Sequence, residues 1–440
     1  MKNIEAIREY VKLEEITDLL KKIIRIPSVA SRETDVANII TDVLEKEGIT
    51  SYEIIESAPG RGNLIIDIKG KLGDGYNLMI VGHSDVVPIE SKWTVDPFGG
   101  VEKDGFIYGR GAIDDKGQVA VMTYLAILLH RMGYSFKGSI RLLIAADEEV
   151  QDPHHGVRFL VKHRPDIFKG VDGAIGELGG LIKFMGEERQ IIAFGEKGSY
   201  IYRIKFFGEK GHSSMPYGII NPIEVAMKFL KDLPTGVFYP SEPVKDMLRA
   251  VFGWRSFFIM NRFFNRIIIK RLVVTSKDIA RFIHALTHII FAKTVIRGGE
   301  ADNVIPESAE VIIDVRCFPE HDEEFLRKLI LQFIPKGCKY RIEVKAGTPS
   351  TYSDLNTPLY NAIVKTIHDL GFKPLPLFQV GTSDSAWIRP LGIPVYHFIT
   401  TRKEIELERI HGTDERIWKE DLMSMLEGYY LLIKNLQEVK

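Results

Sequence analysis

Apolar residues recur every three to four positions over residues 7–24 and again over 35–47, where Gly48 supplies a stop, so both stretches are predicted to be amphipathic helices. The period then changes. Residues 63–68 and 77–81 are short apolar runs of strand type, followed by a long loop rich in Pro, Gly and Asp. Residues 117–130 return to helical spacing, and 139–146 are again strand-like. Strands alternating with helices predict an α/β layered domain around a mostly parallel sheet, whose functional groups collect in loops at the carboxyl ends of the strands.

The middle of the chain has a different rhythm. Residues 200–207, 309–316 and 340–345 alternate as strands, with helical spacing over 221–233 and 323–334, which predicts a compact α+β domain inserted into the first. The tail resumes the α/β pattern, with a helix over 358–370 and a strand-like run at 395–399. The expected division is one domain of residues 1–197 and 348–440, and an inserted domain of 198–347 with a long helical insertion at about 234–291. Residues 254–274 stand apart, because Arg262, Arg266 and Lys270 lie four apart and form a basic stripe beside a broad apolar face. A membrane-surface or acyl-chain-binding helix is one reading. A helix that packs its apolar face on its own domain or on a dimer mate is the preferred one.

Composition narrows the classes. A formal net charge of -1 removes the electrostatic argument for a general nucleic-acid binder. Cys317 and Cys338 are expected to be reduced, partly buried thiols rather than a disulfide. The first residues lack the apolar stretch and small-residue cleavage site of a signal peptide, and no run is long and apolar enough to span a bilayer, so the cytoplasm is the expected compartment.

The candidate chemistry falls at the predicted strand ends. An apolar run ends at Gly82 and presents His83 and Asp85 two residues apart, where a carboxylate can hold one ring nitrogen while the other ligates a metal. Asp114 and Asp115, in a Gly-bounded loop before a helix, either cap that helix or bridge cations. Asp147, Glu148 and Glu149 follow the next strand, and a bound cation would relieve their repulsion, with one acid ligating and another moving protons. Glu177 ends a further apolar run, and His411 lies near the C-terminus; a plain loop position is the other reading of each. Together these groups are hard oxygen and imidazole donors, suited to zinc, cobalt or manganese. His154 and His155, close after the acidic turn, are read as surface loop residues.

The segments GHSDVVP, WTVDPF, DGFIYGRGAIDDKG, ADEE, GHSSMP, NVIP with DVR, and GTSD followed by IHGTDE occur in one order. That order resembles the zinc amidohydrolase and exopeptidase family of acetylornithine deacetylase, succinyl-diaminopimelate desuccinylase, aminoacylase and the glutamate-releasing carboxypeptidase, from about residue 24 to 417. The resemblance implies a metallopeptidase catalytic domain with an inserted lid or dimerisation domain, two divalent ions (most simply Zn2+, with Co2+ or Mn2+ as alternatives), and a homodimer through the lid. It implies that His83, Asp114 and Glu177 hold one ion and that Asp114, Glu149 and His411 hold the second, with Asp114 bridging. Asp85 would orient His83, Glu148 would be the general base, and a cis peptide would follow Asp114. His212 would steady the developing oxyanion, from its own chain or a partner's. Asn303 and Arg316 would bind substrate, Arg316 its carboxylate, although a structural Arg is an equal alternative. Gly381, Thr382 and Ser383 would line the pocket, while Asp115, Asp147 and Asp384 would support.

Two departures bear on substrate. Residues 234–291 are longer than in compact deacetylases and look more like carboxypeptidase-type and N-acyl-amino-acid-hydrolysing members. Glu177 is Asp in the aminopeptidase branches, which tilts against a free-N-terminus aminopeptidase. The leading expectation is hydrolysis of an amide next to a free carboxylate, in an N-acyl amino acid or short peptide. A dipeptidase or carboxypeptidase is the runner-up, and a catalytically silent or lipid-amide-binding protein is the remote alternative.

Overall fold

The computed structural model describes residues 7–438 apart from Gln151 and Met185. The chain forms two compact units, one of Met1–Phe194, Ser353–Leu377 and Trp387–Lys440, the other of Gly195–Tyr352 and Phe378–Ala386. The expected division placed all of 348–440 in the first domain, whereas 378–386 belongs to the second unit. The bonds of that segment account for this. The Phe378 amide donates to Met247 Sδ at 3.0 Å, and Gln379 Nε2 and Ser383 Oγ donate to Glu196 Oε2 at 2.9 and 2.6 Å.

The sheet of the first unit runs Tyr52–Glu56, Gly62–Lys69, Ser139–Ala145, Asn77–His83, Gly173–Gly176, Val395–His397 and Glu187–Glu196. Its centre is parallel: Asn77–His83 pairs in parallel with Ser139–Ala145 and with Gly173–Gly176, which pairs in parallel with Val395–His397. Strands covered on both faces read as unbroken apolar runs, and Asn77–His83 is buried from its second residue onward. Met79 and Val81 pack with Val157 and Leu160 of the helix Gly156–His163. Alternation turns Leu78 and Ile80 to the opposite face. The helix Lys116–Arg131 packs between Leu13–Ile24 and Lys419–Leu436, and it is buried almost all round.

The helix expected over 7–24 is two pieces, Ile7–Tyr10 and Leu13–Ile24. Lys12 is extended at the junction, where its amide donates to Glu15 Oε2 at 2.7 Å and starts the second helix. Cys317 and Cys338 are free thiols.

The second unit is built on an antiparallel sheet in the order Gly236–Phe238, His288–Gly298, Ser308–Cys317, Gly198–Phe207 and Lys339–Thr348. The helix Pro222–Asp232 packs over its two central strands, burying Ala226 and Phe229. The insertion forms helices Glu242–Phe252, Ser256–Met260, Arg262–Thr275 and Lys277–Thr287. Arg262–Thr275 was expected to pack its apolar face on its own domain or on a mate. Within its own unit only Asn265 is buried, and Phe263 and Ile267 stay exposed. Apolar residues occur on all sides of this helix, so a single contact face cannot cover them.

Candidate metal centre

Three parallel strands end at one edge of the first sheet, and each delivers a ligand-type side chain there: His83, the Asp147–Glu148–Glu149 turn, and Glu177. His83 is fully buried. Its Nδ1 lies 3.0 Å from the carbonyl oxygen of Asp85 and 3.3 Å from Asp85 Oδ1. Both are acceptors, so Nδ1 carries a proton, and Nε2 is turned the other way. There it meets Asp114 Oδ1 at 3.0 Å and Glu177 Oε2 at 3.3 Å. Asp85 also accepts the amides of Glu148 and Glu149, at 3.1 and 3.0 Å, so one carboxylate sets both the His83 ring and the acidic turn.

Asp114 faces two histidines. Its Oδ2 lies 3.2 Å from His411 Nε2, which is itself 3.0 Å from Glu149 Oε2. The remaining oxygen of Glu149, Oε1, is buried without a hydrogen-bond partner. Geometry also groups His83 with Asp115 and Glu177, ligand atoms within 4.8 Å of one another. Asp115 stands at the N-cap of Lys116–Arg131 but its side chain does not cap the helix; its Oδ2 accepts the His83 amide at 3.2 Å. The helix-capping alternative for this pair is thereby excluded for Asp115. The Asp114–Asp115 peptide is cis.

The charges are strongly coupled. Asp114 sits below the usual carboxylate range: burial would raise it, but the bonds to His411 and His83 outweigh that. His83 is raised despite burial, by the Glu177, Asp114 and Asp85 carboxylates. His411 is raised to about 10 by its bonds to Asp114 and Glu149. Burial pushes Glu149 up. Two imidazoles, four clustered carboxylates and an orphaned carboxylate oxygen are a donor set that fits two hard-to-borderline divalent cations, with protons taking their place otherwise.

Other residues fix these positions from afar. Glu415 is buried; its Oε1 accepts the amides of Ile113 and Asp114 at 2.9 and 3.1 Å, and its Oε2 accepts from Gly111 N and Arg110 Nη1 at 3.1 and 2.7 Å. Arg110 Nη2 also donates to the carbonyl of His411 at 3.1 Å, so one ion pair joins the two loops that carry Asp114 and His411. His411 itself is left-handed, with φ 59°. Arg61 donates to the carbonyls of Ala30 and Ala146, each at 2.7 Å, and to the Asp147 carboxylate. His397 Nδ1 donates to the carbonyl of Glu177, and burial lowers its pKa to about 3, so it stays neutral. Sequence reasoning assigned no role to Glu415, Arg61 or His397. Glu415 closes the IHGTDE segment, and its position four residues after a candidate ligand is the one available signal.

The remaining expected residues lie in the second unit. His212, in the short strand Gly211–His212, pairs antiparallel with Val304, which places Asn303 beside it in the ladder. Its Nδ1 accepts the Ser214 amide at 3.2 Å, so the neutral ring carries its proton on Nε2. Arg316 directs Nε and Nη2 at Asp314 Oδ2, both 2.9 Å away, and Asp314 also accepts from Ser199 Oγ. Gly381 is exposed, Thr382 is partly buried, and the Ser383 hydroxyl is buried against Glu196. His154 is exposed, and His155 bonds Ser57 Oγ through Nδ1 at 2.8 Å.

The model of Peptidase family M20/M25/M40 matches residues 79–435. The N-fatty-acyl-amino acid synthase/hydrolase PM20D1 of Xenopus tropicalis is 28% identical, covering 96% of this chain and 86% of that protein. The succinyl-diaminopimelate desuccinylase of Bradyrhizobium diazoefficiens is 26% identical over 95% of this chain and 98% of its own. Among solved structures, the M20 family metallo-carboxypeptidase Sso-CP2 from Sulfolobus solfataricus shares the fold, with a TM-score of 0.76, 19% identity and coverage of 96% of this chain and 99% of that one.

Two outcomes follow from this geometry. Glu415→Gln replaces an accepting oxygen with a donor opposite Arg110, so divalent-ion affinity is expected to fall about 10–100-fold in a chelator competition. The raised histidines hold protons that a cation must displace. Metal affinity is therefore expected to rise with pH towards the His411 value of about 10 and to fall as pH drops. Titration calorimetry in buffers of different ionisation enthalpy should show proton release on loading; an enthalpy independent of buffer would contradict this.

Proposed function

The chain belongs to Peptidase family M20/M25/M40 and is a metallohydrolase of amide bonds, and from that premise we propose that it cleaves N-acyl amino acids or short peptides bearing a free carboxylate, using two divalent cations. The observation that carries the reading is Asp114, whose two oxygens face different histidines. One set is His83, Asp114 and Glu177; the other is Asp114, Glu149 and His411. The borderline character of imidazole with carboxylate favours zinc, with cobalt and manganese as functional substitutes. When bound, the cations would lower the pKa of a water and polarise the scissile carbonyl.

The chain's own groups do the rest in this proposal. Glu148, whose amide is anchored on Asp85, takes a proton from the attacking water and delivers it to the leaving amine. His212 offers Nε2–H to the oxygen on which charge develops, a tautomer supported by the Ser214 amide at Nδ1. Arg316 binds the substrate carboxylate through the guanidinium edge away from Asp314, which holds the group in place. Asn303 supplies an amide to the substrate, and Gly381 and Thr382 line its pocket with Ser383 bonded behind them. Two relatives are named for N-fatty-acyl amino acids and for succinyl-diaminopimelate, compounds with an acyl group on an amino acid, which supports the deacylase reading. For a homodimer through the second unit, the support is the exposed Met215, Tyr217, Ile220 and Met227 around the His212 loop and the following helix.

The test is amine release from N-acyl amino acids and unblocked dipeptides by metal-free, zinc-loaded and cobalt-loaded protein. Metal-dependent turnover of the N-acyl panel is expected, and turnover of dipeptides alone would move the reading to a dipeptidase. Glu148→Gln is expected to lose about 10²–10⁴-fold in kcat while metal content is unchanged. Arg316→Ala is expected to raise KM about 10–100-fold for substrates with a free carboxylate and to leave the corresponding amides unaffected. Equal effects on both substrate types would assign Arg316 a structural role.

A further inference from the structure

The insertion of the second unit carries an uncovered apolar surface with one sign of charge. Trp254 is 75% exposed, Phe263 68% and Val274 86%, with Phe257 and Ile267 also exposed. Phe258 and Phe263 meet Phe264 edge-on, 5.1 and 5.4 Å between centroids, and Phe257 meets it at a tilt at 6.3 Å, so the rings form one continuous cluster. Residues 250–276 contain five cationic side chains, Arg255, Arg262, Arg266, Lys270 and Arg271, and no carboxylate, in a chain of net charge -1.

The rotational setting of the helix Arg262–Thr275 is fixed. Asn265 is buried, and its side-chain amide donates to the Ile259 carbonyl at 2.8 Å and to Thr287 Oγ1 at 3.2 Å. At about 100° per residue, Phe263, Ile267 and Val274 then fall within about 40° of one another on the outward side. Arg266 and Lys270 border that strip on one margin and Arg271 on the other. Arg262, Arg266 and Lys270 also line an open recess of about 640 Å³ together with His284 and His288. An apolar strip flanked by long basic side chains is the pattern of a helix that lies in a bilayer interface, with its cations reaching the headgroups.

We propose that this face of the second unit docks on an anionic lipid surface, with Phe263, Ile267 and Val274 entering the acyl boundary and Arg262, Arg266 and Lys270 meeting lipid phosphate at the recess. A second copy is a poorer occupant, because a twofold contact sets the same patch against itself and would oppose cations to cations. A nucleic-acid backbone would meet the charges but would leave the aliphatic strip in water.

The test is co-sedimentation of the full chain with phosphatidylcholine vesicles, with and without phosphatidylglycerol. Two triple variants are compared with wild type: Arg262→Glu with Arg266→Glu and Lys270→Glu, and Phe263→Ser with Ile267→Ser and Val274→Ser. The altered side chains face outward or line the recess, so circular dichroism and hydrolysis of a soluble substrate are expected to match wild type. Wild type should bind the phosphatidylglycerol vesicles at least about tenfold more tightly than the neutral ones, weakening with salt, and each variant should lose at least about tenfold. Absence of vesicle binding by folded, active wild type would overturn the proposal, as would binding that both variants retain. A change from dimer to monomer in the serine variant, without vesicle binding by wild type, would assign the face to a second copy instead.

Discussion

Like charges repel most where water cannot screen them, and the edge at which three parallel strands end gathers Asp114, Asp115, Glu149 and Glu177 around two imidazoles. That crowding is the constraint on which the rest of the first unit turns. Without a compensating positive charge the carboxylates repel one another, and their proximity pushes the pKa values of His83 and His411 up. A pair of divalent cations would meet that repulsion with more charge, and the same charge would activate water. The electrostatic problem created by the fold and the chemistry attributed to the centre therefore have one source.

Holding such a cluster in register requires bonds that reach across the chain. Asp85 ties His83 to the amides of Glu148 and Glu149. Glu415 and Arg110 tie the Asp114 loop to the His411 loop over some three hundred residues of sequence. The Asp414 carboxylate accepts from the amide and hydroxyl of Thr94, at 2.8 and 3.0 Å, and so fixes the far side of the same loop. The fully buried Lys116 donates to the carbonyls of Ile23 and Ile26 and fastens the start of the long helix just after Asp115.

Much of this was legible in the sequence because it is local. The stretches 78–82, 142–146 and 173–176 are apolar throughout, as buried strand segments must be, and an acid or imidazole directly after such a run stands at a strand end. Asp114 and His411 became legible only through the family-like order of the motifs, since each alone has a plain loop reading. What stayed hidden depends on partners distant in sequence. Nothing near Glu415 says that its carboxylate will accept three backbone amides from residues 111–114, and nothing near Arg61 points to Asp147. The break at Lys12 was hidden for another reason: a capping bond to Glu15 won over continuous helical spacing. The outward face of Arg262–Thr275 escaped because its apolar residues are spread around the helix, and only the buried Asn265 decides which of them turn inward.

The central claim is that Asp114 stands between two cation sites. Its most direct test is an anomalous difference map of the zinc-loaded protein recorded at the zinc edge. The account predicts two peaks about 3.5–4 Å apart on either side of the Asp114 carboxylate, one beside His83 and Glu177 and the other beside His411 and Glu149. A single peak, or a second one remote from Asp114, would contradict it.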